Sequence, residues 1–398
     1  MSGWREVAVE ALCSRVTSGG TPSRKREEYY AGEGIPWVKS QELVGARIAA
    51  TEEHISEAGL KSSSAKLLPR DTVLLAMYGA NVGQLGWLGV EATVNQAICA
   101  MVTDPKETDS RFLYYALAGA RERLVGNAHG AAQQNLSQQL IKPFKLAVPD
   151  LATQQRIGEI LRAMDDLIEN NRRRVEILEE MARSIYREWF VKFRYPGYED
   201  VPLVGSALGP IPEEWTVRRL DELATFVGGS TKTKAAYVDA GYVAFSAAGP
   251  DGFVPDYEVD GPGVVLSAVG AKCGRTFWAS GKWSSIANTI KILPKEPELF
   301  ANWLRFATDD SSVWPKRGSA QPFVSINDAR GVLSRVATRE THLRFEDAVK
   351  PMVDQAVVLE AGARGLAALR DLLLPKLVTG QIDVTSLDLD AAIAEQVA

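Results

Sequence analysis

Two stretches of the chain place apolar residues in alternating steps of four and three. In the first, Ile157, Leu161, Met164, Ile168, Val175, Leu178, Ala182 and Ile185 recur in this way, with Asn171 as the one polar member. In the second, Phe345, Val349, Met352, Ala356, Leu359, Ala363, Leu366 and Leu373 do so, with Arg370 as the polar member. That spacing is a heptad seam, and positions between its members, such as Asp165, Asp166, Glu169, Arg172, Arg173 and Glu176, are charged. It predicts two long helices, each burying one stripe and each needing a partner that the other supplies. A helix from about Thr153 to Phe190 is roughly 57 Å long at 1.5 Å per residue, too long for the inside of a compact domain. Pro375 is expected to end the second helix. Asn171 is expected to fix helix register at a cost in stability.

The two stretches are in register at a shift of 188 residues, and the same shift relates a loop ahead of each. His129-Gly130-Ala131-Ala132-Gln133 precedes Leu136-Ser137, and Arg317-Gly318-Ser319-Ala320-Gln321 precedes Val324-Ser325. Two further matches keep the same order. Trp4 and Trp215 each head an alternating segment that ends in a Gly-Gly pair, Gly19-Gly20 and Gly228-Gly229, and both tryptophans are expected in the core. Gly79-Ala80-Asn81-Val82-Gly83 and Gly270-Ala271-Lys272-Cys273-Gly274 each follow an apolar run. Three matches in order along both halves imply an internal duplication, each half a lobe followed by a long helix. Within the lobes Val73–Met77, Gln96–Val102, Val264–Val269 and Thr289–Leu293 read as strands, and residues 111–125 and 298–308 as short helices. The natural arrangement is two lobes held apart by a rod of paired helices. Residues 195–213, rich in Pro and Gly, read as the linker between halves.

Composition narrows the possibilities. Of 398 residues, 46% are hydrophobic and 24% charged, which excludes collagen, mucin, disordered and disulfide-miniprotein classes. No apolar run reaches the length of a membrane span, and the first residues do not read as a signal peptide. Cys13, Cys99 and Cys273 are widely spaced and read as reduced thiols of a cytoplasmic protein. The net charge of -5 is uneven: residues 1–150 hold 16 Lys+Arg against 16 Asp+Glu, while residues 346–398 hold 4 against 9. A nearly neutral body leaves DNA binding open without supporting it.

Recognisable catalytic chemistry is absent from the sequence. There is no phosphate-binding P-loop, no dinucleotide glycine fingerprint, no zinc-ligand cluster and no Asn-Pro-Pro-aromatic tetrad of the kind that holds a flipped base. Asp104-Pro105-Lys106 fits half of a nuclease metal site but reads as a turn, and Asp165-Asp166 reads as a solvated helix face. What remains is polar loops that recur in both halves. Gly-rich backbone, hydroxyls and cations suit phosphates; Gln and Asn suit adenine, and Arg or Lys suit guanine. The candidate DNA-contact set in the first half is Gly20, Thr21, Ser23, Arg24, Lys25, Lys39, Asn81, His129, Gln133, Gln134 and Asn135. In the second half it is Ser230, Lys232, Lys234, Lys272, Arg275, Lys316, Arg317, Ser319 and Gln321. The competing readings are turns with solvated charges and amides that cap nearby backbone.

The constellation resembles the specificity subunit of Type I restriction–modification systems. Gly209-Pro210-Ile211-Pro212-Glu213-Glu214-Trp215 with Leu220-Asp221-Glu222-Leu223 looks like the family's lead-in to its second recognition domain. Pro149-Asp150-Leu151-Ala152-Thr153-Gln154-Gln155-Arg156-Ile157 looks like the lead-in to its first spacer helix, and Trp189-Phe190-Val191-Lys192-Phe193 like the exit. Residues 372–382, with Leu374-Pro375-Lys376-Leu377, resemble the end of the second. One departure is that residues 339–345 lack the Gln-Gln-Arg signature of 154–156.

The resemblance implies an α+β fold with two mixed α/β DNA-recognition lobes, pseudo-twofold duplicated, and two long antiparallel coiled-coil helices between them. The target recognition domains would be residues 1–150 and, with the linker, 195–344. The spacer helices would be 151–194 and 345–384, followed by an acidic tail at 385–398. Each lobe would read one half of a split double-stranded DNA target. The helices would set the spacing and dock two methyltransferase subunits through rod positions such as Ile157, Leu161, Met164, Ile168, Asn171, Val175, Leu178, Val349, Met352, Leu359 and Leu366. Motor–nuclease subunits would complete the complex; S-adenosylmethionine, ATP and magnesium would belong to those partners, and this subunit would hold no metal or cofactor and catalyse nothing itself. The alternative from another class is an assembly scaffold with two protein-binding lobes, distinguished by whether both lobes carry a basic face.

Overall fold

The computed structural model describes residues 3–30, 32–45, 47–126 and 135–384. The acidic tail expected at 385–398 lies outside them. The chain divides into two compact units, Met1–Asn170 with Gly362–Ala398, and Asn171–Ala361. Each is α+β, and each contains part of both long helices, Leu151–Tyr186 and Arg339–Val378.

In the first unit a five-stranded sheet has the order Cys13–Ser18, Ile98–Thr103, Val73–Ala76, Leu85–Leu88, Arg47–Ile48. Its middle strands, Val73–Ala76 and Leu85–Leu88, are buried on both faces, which is why they read as continuous apolar runs. A three-stranded sheet orders Glu53–Ile55, Ile35–Val38 and Thr93–Val94, and Arg5–Ala8 pairs with Lys145–Val148. The short helix Ser110–Gly119 is capped by Asp109, whose carboxylate accepts from the N–H groups of Arg111 and Phe112. It packs Phe112, Tyr115 and Leu117 into one core with Ile157 and Leu161 of the first long helix and Leu377 and Val378 of the second. Asp165 meets Arg370 further along, so the two helices run antiparallel within this unit.

The second unit repeats the plan. Ala224–Gly228, Thr289–Pro294, Gly263–Ser267 and Thr276–Ala279 follow the same order as the first four strands above. Gly249–Val254, Tyr242–Ser246 and Lys282–Ser285 match the three-stranded sheet, with Val259–Asp260 added, and Thr216–Arg219 pairs with Leu333–Val336. Pro297–Ala307 stands for Ser110–Gly119. Its core joins Trp303, Phe306, Phe345, Val349 and Val353 to Ala182 and Phe190. The duplication read from the sequence is thus one topology built twice.

Several expectations need correction. The second long helix begins at Arg339, not 345, and runs through Pro375 to Val378. Proline there removes one backbone bond, at a cost of about 3 kcal/mol in a helix interior. Burial of Leu377 and Val378 in the core offsets this, at about 1.5–3 kcal/mol for each side chain. The carbonyl of Pro375 accepts from the Thr379 hydroxyl at 2.6 Å. Residues 195–213, read as the linker, hold a short hairpin: Leu203–Val204 pairs with Ile211–Pro212, and Tyr195 and Ile211 are buried. Trp215 is core, whereas Trp4 is only half-buried. Asp165 is not a solvated residue but accepts from the Tyr115 hydroxyl at 2.6 Å and pairs with Arg370 at 2.5 Å. Asp104 does start a turn, its carboxylate accepting from the Lys106 N–H at 2.9 Å. The rod positions Ile157, Leu161, Ile168, Val349 and Leu359 are buried, and Met164, Asn171, Val175, Leu178, Met352 and Leu366 half-buried. Among the described residues no helix is long and apolar enough to cross a membrane.

Candidate nucleic-acid interface

In each unit the candidate loops meet at one tight turn between two strands. In the first this is residues 94–97. The Gly20 N–H donates to the Val94 carbonyl at 3.0 Å, and the Met77 N–H donates to the Ala97 carbonyl at 2.8 Å. Leu136 donates to the Met77 carbonyl at 2.7 Å, bringing the end of the Gly-Ala-Gln loop to the same place. In the second unit the turn is residues 285–288. Ser230 donates to the Ser285 carbonyl at 3.0 Å, Ala268 to Asn288 at 2.9 Å, and Val324 to Ala268 at 2.9 Å. Asn288 takes a φ of 68°, as short polar residues in tight turns tolerate. The matching bonds pair Gly19 with Gly229 and Gly20 with Ser230, one residue off the Gly-Gly alignment read from sequence. The close approach explains the glycines: a Cβ on Gly19 would lie 1.7 Å from the Val94 oxygen, and one on Gly229 2.1 Å from that of Ile286.

The candidate side chains then separate into groups. Gly20 is buried, its carbonyl taking the Trp37 indole N–H at 3.0 Å, and the Thr21 hydroxyl is turned onto Gln96. Asn81 donates to the Ser40 carbonyl at 3.1 Å and Ser230 to that of Ser285 at 3.1 Å, so both amide and hydroxyl hold loops in place. Arg24 pairs with Glu53 at 2.5 Å and lies over the Tyr30 ring at 4.2 Å. Lys39 reaches Glu52 at 2.7 Å and Glu53 at 3.0 Å. The hydrogen bond from Arg24, with that from Lys39, holds the Glu53 carboxyl below its ordinary range. Lys234 pairs with Asp251 at 2.5 Å, and Arg317 with Asp328 at 2.5 Å. Hydrogen bonds from Ser325 and then Arg317 lower the Asp328 carboxyl.

Ser23, Lys25, Lys232, Lys272, Arg275, Ser319 and Gln321 are exposed, and their side chains make no hydrogen bond or ion pair among the described residues. Asn135 is exposed as well. Lys316 folds its stem against Gly274, and its ammonium donates to the Ser311 hydroxyl at 3.4 Å. Backbone bonds hold the second unit's loops side by side: Gly270 donates to the Pro322 carbonyl at 2.9 Å, and Arg317 and Phe323 exchange both backbone bonds. Lys272, Arg275, Lys316 and Gln321 therefore share one end of the sheet. His129, Gln133 and Gln134 lie outside the described residues.

Sequence reasoning missed the turns themselves, with Gln96 and Asn288, and the carboxylates Glu53 and Asp251. The turns carry a faint signal, an Asn between two strands of each half, Asn95 and Asn288. The carboxylates carry none, because each is more than a dozen residues from the cation it binds. No group of three or more His, Cys, Asp or Glu among the described residues could hold a metal.

Residues 1–180 match the family model described as Type I restriction modification DNA specificity domain. The specificity subunit of the Type I restriction enzyme MjaIX from Methanocaldococcus jannaschii is 25% identical over 94% of this chain and 92% of that protein. A Type I restriction enzyme specificity subunit from Escherichia coli is 27% identical over 45% of this chain and 46% of its own length. The crystal structure of a Type I restriction–modification system S subunit from M. genitalium superposes with a TM-score of 0.65 at 17% identity, covering 94% of this chain and 96% of that one.

Proposed function

We propose that the chain is a specificity subunit of a Type I restriction–modification system and that it reads a DNA target in two halves, one per lobe. The observation that carries this reading is the same loop cluster built twice, around residues 94–97 and 285–288, with unpaired cations in both copies: Lys25 in the first, Lys232, Lys272 and Arg275 in the second. These cations suit phosphates, and Asn135 and Gln321 suit base edges. The residue ranges 1–150 and 195–344 act as target recognition domains. The two long helices act as the spacer and as the seat of two methyltransferase subunits. Exposed apolar residues outside the seam, among them Leu167, Ile177, Met181, Val358 and Leu372, support such docking. S-adenosylmethionine, ATP and magnesium are held by methyltransferase and motor–nuclease partners in this reading.

The test is to map methylated sites in a host carrying the assembled system. Exchanging residues 1–150 for those of another family member should replace one half of the target and leave the other half unchanged. A swap that alters both halves, or neither, overturns independent reading by the lobes.

A further inference from the structure

A cation five residues beyond the crowded glycine of each Gly-rich loop is held by a carboxylate in both units. Gly19 leads to Arg24, and Gly229 to Lys234. Arg24 makes two bonds to Glu53, at 2.5 and 3.2 Å, and Lys39 adds a third at 3.0 Å. Lys234 bonds Asp251 at 2.5 Å. The carboxylates also occupy matching places. Glu53 is on the strand paired antiparallel with Ile35–Val38, and Asp251 on the strand paired antiparallel with Tyr242–Ser246. Asp251 is further fixed by the hydroxyls of Tyr237 at 2.6 Å and Ser246 at 2.7 Å. A surface ion pair by itself means little. The same clip on the matching strand, one residue apart in register and built from different residues, recurs in both lobes.

We propose that Glu53 and Asp251 are positioning residues that keep Arg24 and Lys234 from neutralising DNA phosphates, so that the lobes bind DNA with fewer charges than their loops carry. This rests on the DNA-reading function proposed above. A cation already neutralised by a carboxylate releases no counterion from DNA, and binding to any sequence weakens accordingly. Discrimination is the ratio of target binding to non-specific binding, so a lower non-specific term raises it. The clips thus act in the opposite sense to the free Lys25 and Lys232. Burial alone would raise the Asp251 carboxyl, yet the bonds from Lys234, Tyr237 and Ser246 together hold it below its ordinary range, so it stays a carboxylate.

The test uses the full chain and a fluorescent random-sequence duplex, with affinity measured from 50 to 200 mM salt. Glu53→Gln and Asp251→Asn should each bind more tightly at low salt and show a slope steeper by about 0.9, which is roughly a 3.5-fold further loss of affinity across that range. Adding Arg24→Met to Glu53→Gln should return the slope to that of the unsubstituted chain. An unchanged or shallower slope in either folded amide variant overturns the proposal. If the amide variants do not fold, Arg24→Met and Lys234→Met decide: slopes equal to the unsubstituted chain support it, and slopes shallower by about 0.9 overturn it. No duplex binding by the unsubstituted chain, alone or with methyltransferase subunits, instead removes the DNA-reading function itself.

Discussion

The two units share one plan and differ most where the long helices meet the lobes. In the first, Gln154 is buried and its amide is fully used. It accepts from the Thr108 hydroxyl at 2.7 Å and the Asp109 N–H at 3.1 Å, and donates to the carbonyls of Glu107 and Pro149. In the second, the residue 188 positions on is His342, enclosed by Phe190, Phe300 and Trp303, with neither ring nitrogen bonded among the described residues. One turn later the contrast reverses. Gly158 leaves room for Asp109 to cap its own helix; a Cβ there would lie 3.0 Å from the Asp109 carboxylate. The equivalent Glu346 reaches across instead and takes the N–H groups of Asn302 and Trp303 at 2.8 and 3.0 Å, and the Asn302 amide at 2.7 Å. A third set differs in the same manner. Tyr115, Asp165 and Arg370 form a polar network, while Phe306, Val353 and Ala182 stand in the matching positions of an apolar core. The lesson is that the copies diverged in sets. A buried donor or acceptor left without its partner costs about 1–3 kcal/mol, so members of a set change together.

The largest expected break of this comparison is Glu346→Ala. Three buried N–H groups lose their acceptor, and the second unit should lose about 3–5 kcal/mol. Asp109→Ala removes the N-cap of Ser110–Gly119 in the first unit and should cost only about 1 kcal/mol. Equal losses in chemical denaturation would contradict the view that the buried bonds of Glu346 are the costlier set to lose.

Next is the polar network. Asp165→Val alone leaves the Tyr115 hydroxyl without its acceptor and Arg370 with Asp371 as its remaining partner, and should destabilise by about 1–3 kcal/mol. Combined with Tyr115→Phe and Arg370→Ala, it copies the second unit and should recover most of that loss, because a partly buried ion pair is replaceable by apolar packing. A triple variant less stable than Asp165→Val would contradict exchange by sets.

His342 carries the pH dependence. Burial pushes its ring down to about 3, from an unfolded value of 6.5. The unfolded chain therefore binds more protons between these values, and stability is present above pH 6.5 and lost as pH falls. The loss is about 1.4 kcal/mol per pH unit below 6.5. Glu346 nearby, raised by burial, contributes in the opposite sense, with stability present below its ordinary value of 4.5 and lost as pH rises. His342→Gln, copying Gln154, should flatten the fall in melting temperature between pH 6.5 and 5, and an unaltered pH profile would rule His342 out as its source.

The smallest effect concerns the seam. Asn171 is half-buried and its side chain makes no hydrogen bond among the described residues, whereas Leu359, at the equivalent position, is buried. Asn171→Leu should hold or raise thermal stability by up to about 1 kcal/mol and loosen helix register. Unfolding of this variant would mean that Asn171 has an essential polar partner.

The sequence alone determined the duplication, the two long helices, the strands Val73–Ala76, Ile98–Thr103, Gly263–Ser267 and Thr289–Pro294, and the loops that hold the candidate contacts. All of these rest on local periodicity or on repeats at a fixed shift, and both survive in one dimension. The family resemblance was legible for the same reason, in short runs at the helix ends. Tertiary structure decided the rest. Pro375 stays within a helix because Leu377 and Val378 are buried beside it. Asp165 is a network member because Arg370 lies 2.5 Å away after a separation of 205 residues. Arg24, Lys39 and Lys234 looked like free cations, and only folding brought Glu53 and Asp251 against them. Charge pairing acts through space over a few ångströms, so a sequence shows which residues carry charge but not which of them still have it to offer.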